Sequence, residues 1–370
     1  MNIGIDVRTI GKKRTGDEVY TRHLINYIKS LEECDDTYYL YSDRDNTDDP
    51  TLQELPEFMK HIVLKPADKL LWTMGALSQA LYKHQIDIIH VHYITPFITP
   101  AKTKVLTTIH DVSWREYPEL VTAKDRKILN TLIPLSIRKA TRVLTVSHHS
   151  MEAINTHFPS SNGKVAVIHN GGFIDTPKKD IQHPSNTFPE IDSPYFLYVG
   201  TLQPRKNIPF LIEQFLISKD SFGFPQKLVI VGGLQAHNVD PNILKFQNNP
   251  NIIFTDYVSE EDKYRLIAHC FAFCFPSLFE GFGIPVIEAM SFGKPVIASH
   301  ASCLPEIIGN AGKTIPVDNA HEWQKALYDI TVSEEEYQEL SHASLHKAKE
   351  YTWESMGQST VHMYQSLKDG

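Results

Sequence analysis

Two glutamates stand on either side of a glycine-rich turn in the stretch FPSLFEGFGIPVIEAMSFGKPVIASHASCLPEI, residues 275–307. Glu280 precedes the turn Gly281-Phe-Gly283, and Glu288 follows Pro285, a residue type that suits the first position of a helix. The N-terminus of a helix carries partial positive charge and unpaired N–H groups, which favour a phosphate. Carboxylates beside a phosphate are useful where they accept hydrogen bonds from neutral hydroxyls. The stretch therefore predicts a sugar-nucleotide site, with one glutamate for the sugar and one for the ribose.

Length, charge and missing motifs exclude several other classes of protein. At 370 residues the chain is too long for one hydrophobic core, so two domains are expected. The formal net charge of −8 argues against a nucleic-acid partner. A dinucleotide fold needs Gly-x-Gly-x-x-Gly after the first strand, whereas Gly4, Gly11 and Gly16 have another spacing, and no Walker A segment occurs. Signal-peptide and membrane-spanning patterns are missing, and the four cysteines form no Cys-x-x-Cys pair, which favours a cytoplasmic protein.

Short apolar runs alternate with helical patterns along the chain. This alternation predicts an α/β protein with parallel, doubly wound sheets that carry helices on both faces. The proline-rich stretch 173–194 is typical of an exposed linker, so we expect one Rossmann-like domain over 1–172 and another over 195–352. Two such domains would face a cleft, where open α/β sheets bind ligands. The stretch from about Glu335 to Leu367 is helical by period, and 353–370 is predicted to return to the first domain.

The stretch around the two glutamates carries a specific resemblance. EGFGIPVIE, residues 280–288, is similar to the Glu-x7-Glu signature of retaining family 4 glycosyltransferases, and SFGKPVIAS follows it as in that family. The segments RTGDEVYTRHL, TTIHDVSW, LTVSHHS, VGTLQPRKN and CLPEIIGNAG fall in the family's order, from residue 14 to about 312. TLQPRKN and ASCLPE resemble the mannosyltransferase-like subset most. The family has the GT-B architecture of two Rossmann-like domains.

The resemblance implies a role for each matching residue. In the family, the cations of GTLQPRKN face the donor diphosphate and replace a metal, although Thr201 stands where many relatives carry a further arginine. A histidine lies near the transferred sugar, the first helix presents amides to the diphosphate, and backbone groups read the base. The implied catalytic residues are His110, Arg205, Lys206 and Glu280. The implied donor-binding residues are Gly16, Val258, Gly281, Phe282, Gly283, Ile284 and Glu288.

The same resemblance implies a metal-independent retaining hexosyltransferase that needs no cofactor. Its predicted donor is GDP-mannose, and its predicted acceptor is a glycan or a lipid-linked sugar. A transferase specific for UDP-glucose or UDP-N-acetylglucosamine is an alternative. A noncatalytic sugar-nucleotide-binding scaffold, and a hydrolase or epimerase of the same fold, are further alternatives.

Two patterns that could indicate a metal have simpler interpretations. Asp43-Arg-Asp45 spells the Asp-x-Asp of metal-dependent glycosyltransferases of the other major fold, but it lies in the acidic loop SDRDNTDD. His90 and His92 share one face of a strand, yet no third ligand follows at a recognisable spacing. We therefore expect no metal site.

A basic segment at 121–142 suggests an anionic partner. It contains six basic residues and one acidic residue in a chain of negative net charge. Ile128, Leu132 and Leu135 recur at helical spacing, so we expect one buried face, and Pro134 is expected to end or kink the helix. Peripheral contact with an anionic membrane, at its cytoplasmic face, would place the protein near a lipid-linked acceptor. An ordinary core-packed helix with solvated ends is the alternative.

Overall fold

The computed structural model describes residues 1–12, 16–66, 68–175, 181–235 and 238–369. The chain divides into two compact units. The first unit contains Met1–Gly171 together with the segment from Trp353 onward, and the second contains Gly172–Thr352. Arg14 and Thr15 of the RTGDEV motif, and residues 176–180 of the predicted linker, lie outside the described residues.

In the described part of the first unit, seven strands form one parallel sheet. They are β1 (Asn2–Asp6), β2 (Thr37–Ser42), β3 (Met59–Val63), β4 (Ile88–His92), β5 (Lys104–Thr108), β6 (Arg142–Thr145) and β7 (Val165–Val167). Their order in the sheet is β3-β2-β1-β4-β5-β6-β7, and every neighbouring pair is parallel. The central strands are short apolar runs because parallel sheets are covered on both faces.

Helices connect these strands. They are α1 (Gly16–Lys29), α2 (Lys69–Leu71), α3 (Ser78–Lys83), α4 (Ser113–Glu116), α5 (Ala123–Lys139) and α6 (His148–His157), with a π-helical stretch (Trp72–Leu77) between α2 and α3. α6 begins where the Oγ of Ser147 accepts a hydrogen bond from the N–H of Ser150 at 3.1 Å.

The second unit repeats this arrangement with its own parallel sheet. Its strands are β8 (Tyr195–Val199), β9 (Lys227–Val231), β10 (Ile252–Asp256), β11 (Ala272–Phe275), β12 (Val296–Ser299) and β13 (Lys313–Ile315), in the order β10-β9-β8-β11-β12-β13. Its helices are α7 (Ile208–Phe222), α8 (Glu260–His269), α9 (Ile284–Ser291), α10 (Leu304–Ile308), α11 (Ala320–Val332) and α12 (Glu334–Ala348). The predicted α/β class with two doubly wound Rossmann-like units is confirmed. None of the described helices is both long enough and apolar enough to cross a membrane.

The segment 181–194, predicted as part of an exposed linker, packs on the second unit where it is described. Ile191 is buried, and Asp192 pairs with Lys227 of β9 at 2.8 Å. A short 3-10 turn, Pro184–Asn186, contains one of the prolines of this stretch.

The closing stretch is helical, as its period predicted, and it forms two helices. α12 ends at Ala348, and α13 (Trp353–Asp369) belongs to the first unit. One face of α13 enters the core of that unit through Met356, Tyr364 and Leu367. The Tyr364 hydroxyl also lies 2.7 Å from Nδ1 of His90. The first unit therefore completes its core with residues that follow the second unit in the sequence.

The basic helix α5 differs from its prediction in the residues that it buries. It continues through Pro134, which removes one backbone donor without ending the helix. The predicted buried residues Ile128 and Leu135 are 39% and 41% exposed, and this part of the prediction was wrong. Two sets of residues in α5 recur at helical spacing, and the core covers the set that was not predicted to be buried. That set consists of Ile133, Ser136 and Ile137.

Replacing Gly357 with alanine is expected to loosen the contact between α13 and α1. A Cβ at this position would lie 2.2 Å from Cγ of Tyr27, which real atoms do not tolerate. We expect Gly357→Ala to destabilise the first unit by about 1–3 kcal/mol, measured as a lower midpoint in calorimetric unfolding. Gly75→Ala is the control, because a Cβ at Gly75 would meet nothing within 4 Å. Equal midpoints for Gly357→Ala and the control would contradict this packing.

Candidate active site

The second sheet reverses its strand order between β8 and β11. β9 and β10 lie on one side of β8, while β11, β12 and β13 lie on the other. At such a reversal the loops at the carboxyl ends of two adjacent strands diverge and leave a crevice for a ligand. The loop after β8 carries Arg205 and Lys206, and the loop after β11 carries Glu280. The topology thus brings three of the four predicted catalytic residues to one end of one sheet.

Glu280, Arg205 and Lys206 form a buried ion cluster. Nζ of Lys206 donates to Oε1 of Glu280, and Nη1 of Arg205 donates to Oε2 at 3.2 Å. The Arg205 guanidinium also donates to the carbonyl of Phe279 at 2.9 Å, while the N–H of Leu278 donates to the carbonyl of Arg205 at 2.8 Å. These bonds fix the two loops against each other.

The cluster carries more positive charge than negative charge. Burial alone would raise the pKa of Glu280, but the Lys206 ammonium and the Arg205 guanidinium lower it to about 2. The carboxylate is therefore ionised at neutral pH, so it accepts hydrogen bonds and supplies no proton. Two cations against one carboxylate leave a net positive charge, which suits an anionic group such as a phosphate.

The turn after Glu280 is held in shape by its backbone. Gly283 has a φ of 98°, a left-handed conformation that favours glycine, and it precedes the first residue of α9. The helix begins at Ile284, so Pro285 is its second residue, whereas the sequence predicted it at the first position. Both positions tolerate proline because the first N–H groups of a helix have no intrahelical partner. The N–H of Glu280 donates to Oγ of Ser302 at 2.9 Å, which anchors the start of the turn.

The predicted donor-binding residues Gly281, Phe282, Gly283 and Ile284 all lie in this turn. Phe282 and Gly283 are buried, and Sγ of Cys303 donates to the carbonyl of Phe282 at 3.3 Å. The backbone of the turn therefore leads directly into the N-terminal end of α9, where N–H groups could donate hydrogen bonds to a phosphate.

Glu288 forms a second ion pair. Its Oε1 accepts a hydrogen bond from Nζ of Lys263, in α8, at 2.7 Å, and the same ammonium lies 3.4 Å from Oε1 of Glu260. Val258, the predicted base-reading residue, lies between β10 and α8, one residue before the helix cap Ser259. In the second unit, therefore, both glutamates of the signature are bonded to cations.

The first unit places Gly16 and His110 after β1 and β5, at the carboxyl end of its sheet. Gly16 begins α1, and a Cβ added there would meet nothing within 4 Å. His110 is 6% exposed, and its Nε2 lies 3.2 Å from Nδ1 of His92 and 3.6 Å from Oδ1 of Asp17. Burial lowers the pKa of both imidazoles to about 4, so both are neutral at pH 7. His110 can therefore form hydrogen bonds there but carries no charge.

The residues of the two weaker metal patterns have protein partners. Asp43 accepts hydrogen bonds from Lys12 at 3.1 Å and from Arg44 at 3.0 Å, and Asp45 accepts one from Thr47. The ring nitrogens of His90 lie 2.7 Å from the hydroxyls of Tyr364 and Thr108.

Two family models match the chain side by side. The family described as "Glycosyltransferase Family 4" matches residues 16–174, and "Glycosyl transferases group 1" matches residues 178–347. The chain belongs to these glycosyltransferases.

Curated relatives of this glycosyltransferase include mannosyltransferases. O-antigen chain mannosyltransferase B of Escherichia coli is 29% identical over 294 residues, which is 75% of this chain and 74% of the relative. O-antigen chain mannosyltransferase RfbU of Salmonella typhimurium is 29% identical over 229 residues, or 60% of each chain. The chain therefore spans less than two thirds of RfbU.

Solved structures share the fold of this glycosyltransferase at low sequence identity. Sucrose-phosphate synthase from Thermosynechococcus elongatus has a TM-score of 0.76 at 19% identity, covering 100% of this chain and 99% of that one. HepE of Anabaena, solved in complex with UDP and glucose, has a TM-score of 0.72 at 18% identity, covering 99% and 100%.

Sequence reasoning missed the partners of the predicted residues. Lys263 follows the three acidic residues Glu260, Glu261 and Asp262, so it reads as a surface charge in the first turn of a helix. The sequence pattern indicates His92 only as a possible zinc ligand, whereas in the structure it contacts His110. His92 ends β4 and His110 follows β5. This placement could have predicted their contact, because the carboxyl ends of neighbouring parallel strands lie side by side.

Removing either side of the ion cluster is expected to reduce turnover. Lys206→Ala and Glu280→Ala should each lower kcat about 10²-fold or more, the usual cost of one charge-stabilising group, in an assay of released nucleoside diphosphate. Lys245→Ala is the matched control, because it breaks an exposed ion pair with Glu213 of 2.7 Å elsewhere in the unit. Turnover within a few fold of the wild type for either cluster variant would remove that residue from the active site.

Proposed function

We propose that the protein is a metal-independent, retaining mannosyltransferase that moves mannose from GDP-mannose to a glycan or lipid-linked acceptor. The observation that carries this proposal is the buried cluster of Glu280, Arg205 and Lys206 at the reversal of the second sheet. The names of the curated relatives, which include two O-antigen mannosyltransferases, favour mannose as the transferred sugar.

The cluster supplies what departure of a nucleoside diphosphate requires. As the bond from the anomeric carbon to phosphate breaks, its electron pair leaves with the phosphate oxygen. Arg205 and Lys206 stabilise that growing negative charge in place of a metal ion. The anionic Glu280 accepts hydrogen bonds from the sugar hydroxyls, because each carboxylate oxygen has more than one acceptor site. Its lowered pKa makes it unsuitable as an acid.

The remaining steps need no nucleophile from the protein. The acceptor hydroxyl bonds to the anomeric carbon on the face from which the phosphate leaves, and the departing phosphate oxygen takes the hydroxyl proton. In this proposal His110 hydrogen-bonds a sugar hydroxyl as a neutral imidazole, and the amides at Gly16 and in the 281–284 turn hold the diphosphate. Glu288 accepts from the ribose hydroxyls, and the backbone at Val258 contacts the base.

A panel of nucleotide sugars tests the donor. We expect GDP-mannose to give the largest thermal stabilisation and the highest kcat/KM with a mannose-terminated acceptor. We expect an excess of EDTA to leave the rate unchanged, because protein cations replace the metal. Tighter binding of UDP-glucose or UDP-N-acetylglucosamine than of any GDP-sugar would overturn the choice of donor and leave a transferase. Nucleoside diphosphate release that is equal with and without acceptor would indicate a hydrolase.

We also propose that α5 contacts an anionic membrane that carries the acceptor lipid. The helix exposes Ile128 and Leu135 to solvent, and basic side chains flank this stripe at both ends. An exposed apolar stripe between cations matches a bilayer surface, where the cations meet anionic headgroups and the apolar side chains enter the interface. The exposed basic residues of α5 are Lys124, Lys127, Arg138 and Lys139, and Arg142 at the start of β6 is also exposed.

Liposome sedimentation separates the two parts of this surface. The wild type should bind vesicles rich in anionic lipid at low salt and dissociate as salt rises. Charge reversal at Arg126, Lys127, Arg138 and Lys139 should abolish binding, and serine at Ile128 and Leu135 should weaken it at every salt concentration. Charge reversal at Lys245, Lys325 and Lys349 of the second unit is the control. No vesicle binding by the wild type at low ionic strength would leave α5 with a structural role only.

A further inference from the structure

The ion pair between Lys263 and Glu288 connects α8 to α9 at the carboxyl end of the second sheet. Its two side chains are 16% and 9% exposed, so both charges are largely removed from water. Lys263 also lies 4.5 Å from the ring centre of Tyr264, whose hydroxyl donates to Glu260 at 3.2 Å. Contacts within α8 therefore help to fix the lysine side chain that pairs with Glu288.

The two oxygens of Glu288 have different surroundings. Oε1 accepts the hydrogen bond from Lys263 at 2.7 Å. Oε2 has no recorded partner in the part of the chain that the structure describes, and Glu288 keeps 7% of its surface exposed. A carboxylate with one oxygen fixed and the other unbonded is ready to accept a hydrogen bond from a ligand hydroxyl.

The charge of Glu288 depends on this one lysine. Burial raises the pKa of Glu288, and the Lys263 ammonium opposes that rise, while Glu260 adds to it. Burial lowers the pKa of Lys263, but Glu288, Tyr264 and Glu260 together outweigh burial, and the net pKa of Lys263 is raised. The charged and titratable groups recorded against Glu288 are Lys263, Glu260 and Tyr264, all from α8, and Lys263 is the one cation among them within the described residues.

We propose that Lys263 is a positioning residue that presents Oε2 of Glu288 to the ribose hydroxyls of the nucleotide sugar. The inference rests on the proposed function, because it takes Glu288 as the group that binds the ribose. An uncompensated buried carboxylate would take up a proton, and a protonated Glu288 would lose most of its strength as an acceptor. If the ion pair had only a structural role, its loss would change the stability of α8 and α9 but would not change the preference of the protein for a ribonucleotide.

The test compares nucleotides that have and lack ribose hydroxyls. Affinities of GDP and UDP are measured by titration calorimetry against their 2′,3′-dideoxy counterparts, so that phosphate and base contributions cancel. We expect the wild type to prefer the ribonucleotide at least about ten-fold at pH 6 and at pH 8.5, the range of a hydrogen bond to a charged group. Lys263→Met should lose this preference at pH 6 and regain part of it at pH 8.5. The sign follows because removal of the Lys263 ammonium raises the pKa of Glu288 further, so that the carboxyl group needs a higher pH to ionise.

Further variants separate positioning from folding. Lys263→Arg should restore the preference at pH 6, and Lys263→Gln replaces the methionine variant if that protein does not fold. Lys245→Met, which breaks the exposed pair with Glu213, should leave the preference unchanged. A full ribose preference in Lys263→Met or Lys263→Gln at pH 6 would overturn the inference.

Glu288→Gln distinguishes this inference from the proposed function. Loss of the ribose preference in Glu288→Gln, at both pH values, supports the ribose role of Glu288. If that variant loses the preference while the Lys263 variants keep it, the role of Lys263 is overturned and the ribose role of Glu288 stands. If Glu288→Gln keeps the preference, both are overturned.

Discussion

The buried cluster of Glu280 with Arg205 and Lys206 is the interaction on which the second unit depends. Charges removed from water are tolerated only when they are paired and hydrogen-bonded, and loss of one partner leaves an uncompensated charge. The loops after β8 and β11 must therefore keep a fixed separation. The strand order supplies that separation, and the left-handed turn at Gly283 directs the chain from Glu280 into α9.

Each unit collects its polar side chains at the carboxyl end of its own sheet, but the two collections differ in electrical character. In the second unit the side chains are ionised and paired. In the first unit His92 and His110 are neutral because burial lowers the pKa of both, and they are held by hydrogen bonds and by Tyr20, whose ring meets both imidazoles edge-on. The first unit therefore combines two neutral imidazoles with the ion pair of Arg8 and Asp6, of 2.6 Å, at the end of β1, whereas the pairs described in the second unit are ionised.

The sequence predicted local features well because they depend on nearby residues. The strands, the turn at 281–283 and the loop with Arg205 and Lys206 all follow from short patterns of apolar residues, glycine and proline. The pairing of Glu280 with residues 74 and 75 positions earlier depends on strand order, which spacing does not reveal. The exposed face of α5 was mispredicted for a related reason. A helical period identifies stripes, but the neighbouring elements decide whether Ile128 or Ile133 is covered. The predicted roles in donor binding stay predictions.

The return of α13 to the first unit has a consequence for folding during synthesis. Domains generally fold as units while the chain emerges from the ribosome, N-terminal domain first. Here the core around Ile3 and Tyr38 also contains Met356, Tyr364 and Leu367. This core is therefore complete only after the entire second unit and α13 have been translated. The second unit is contiguous in sequence from Gly172 to Thr352, so its folding does not depend on a segment that is translated later.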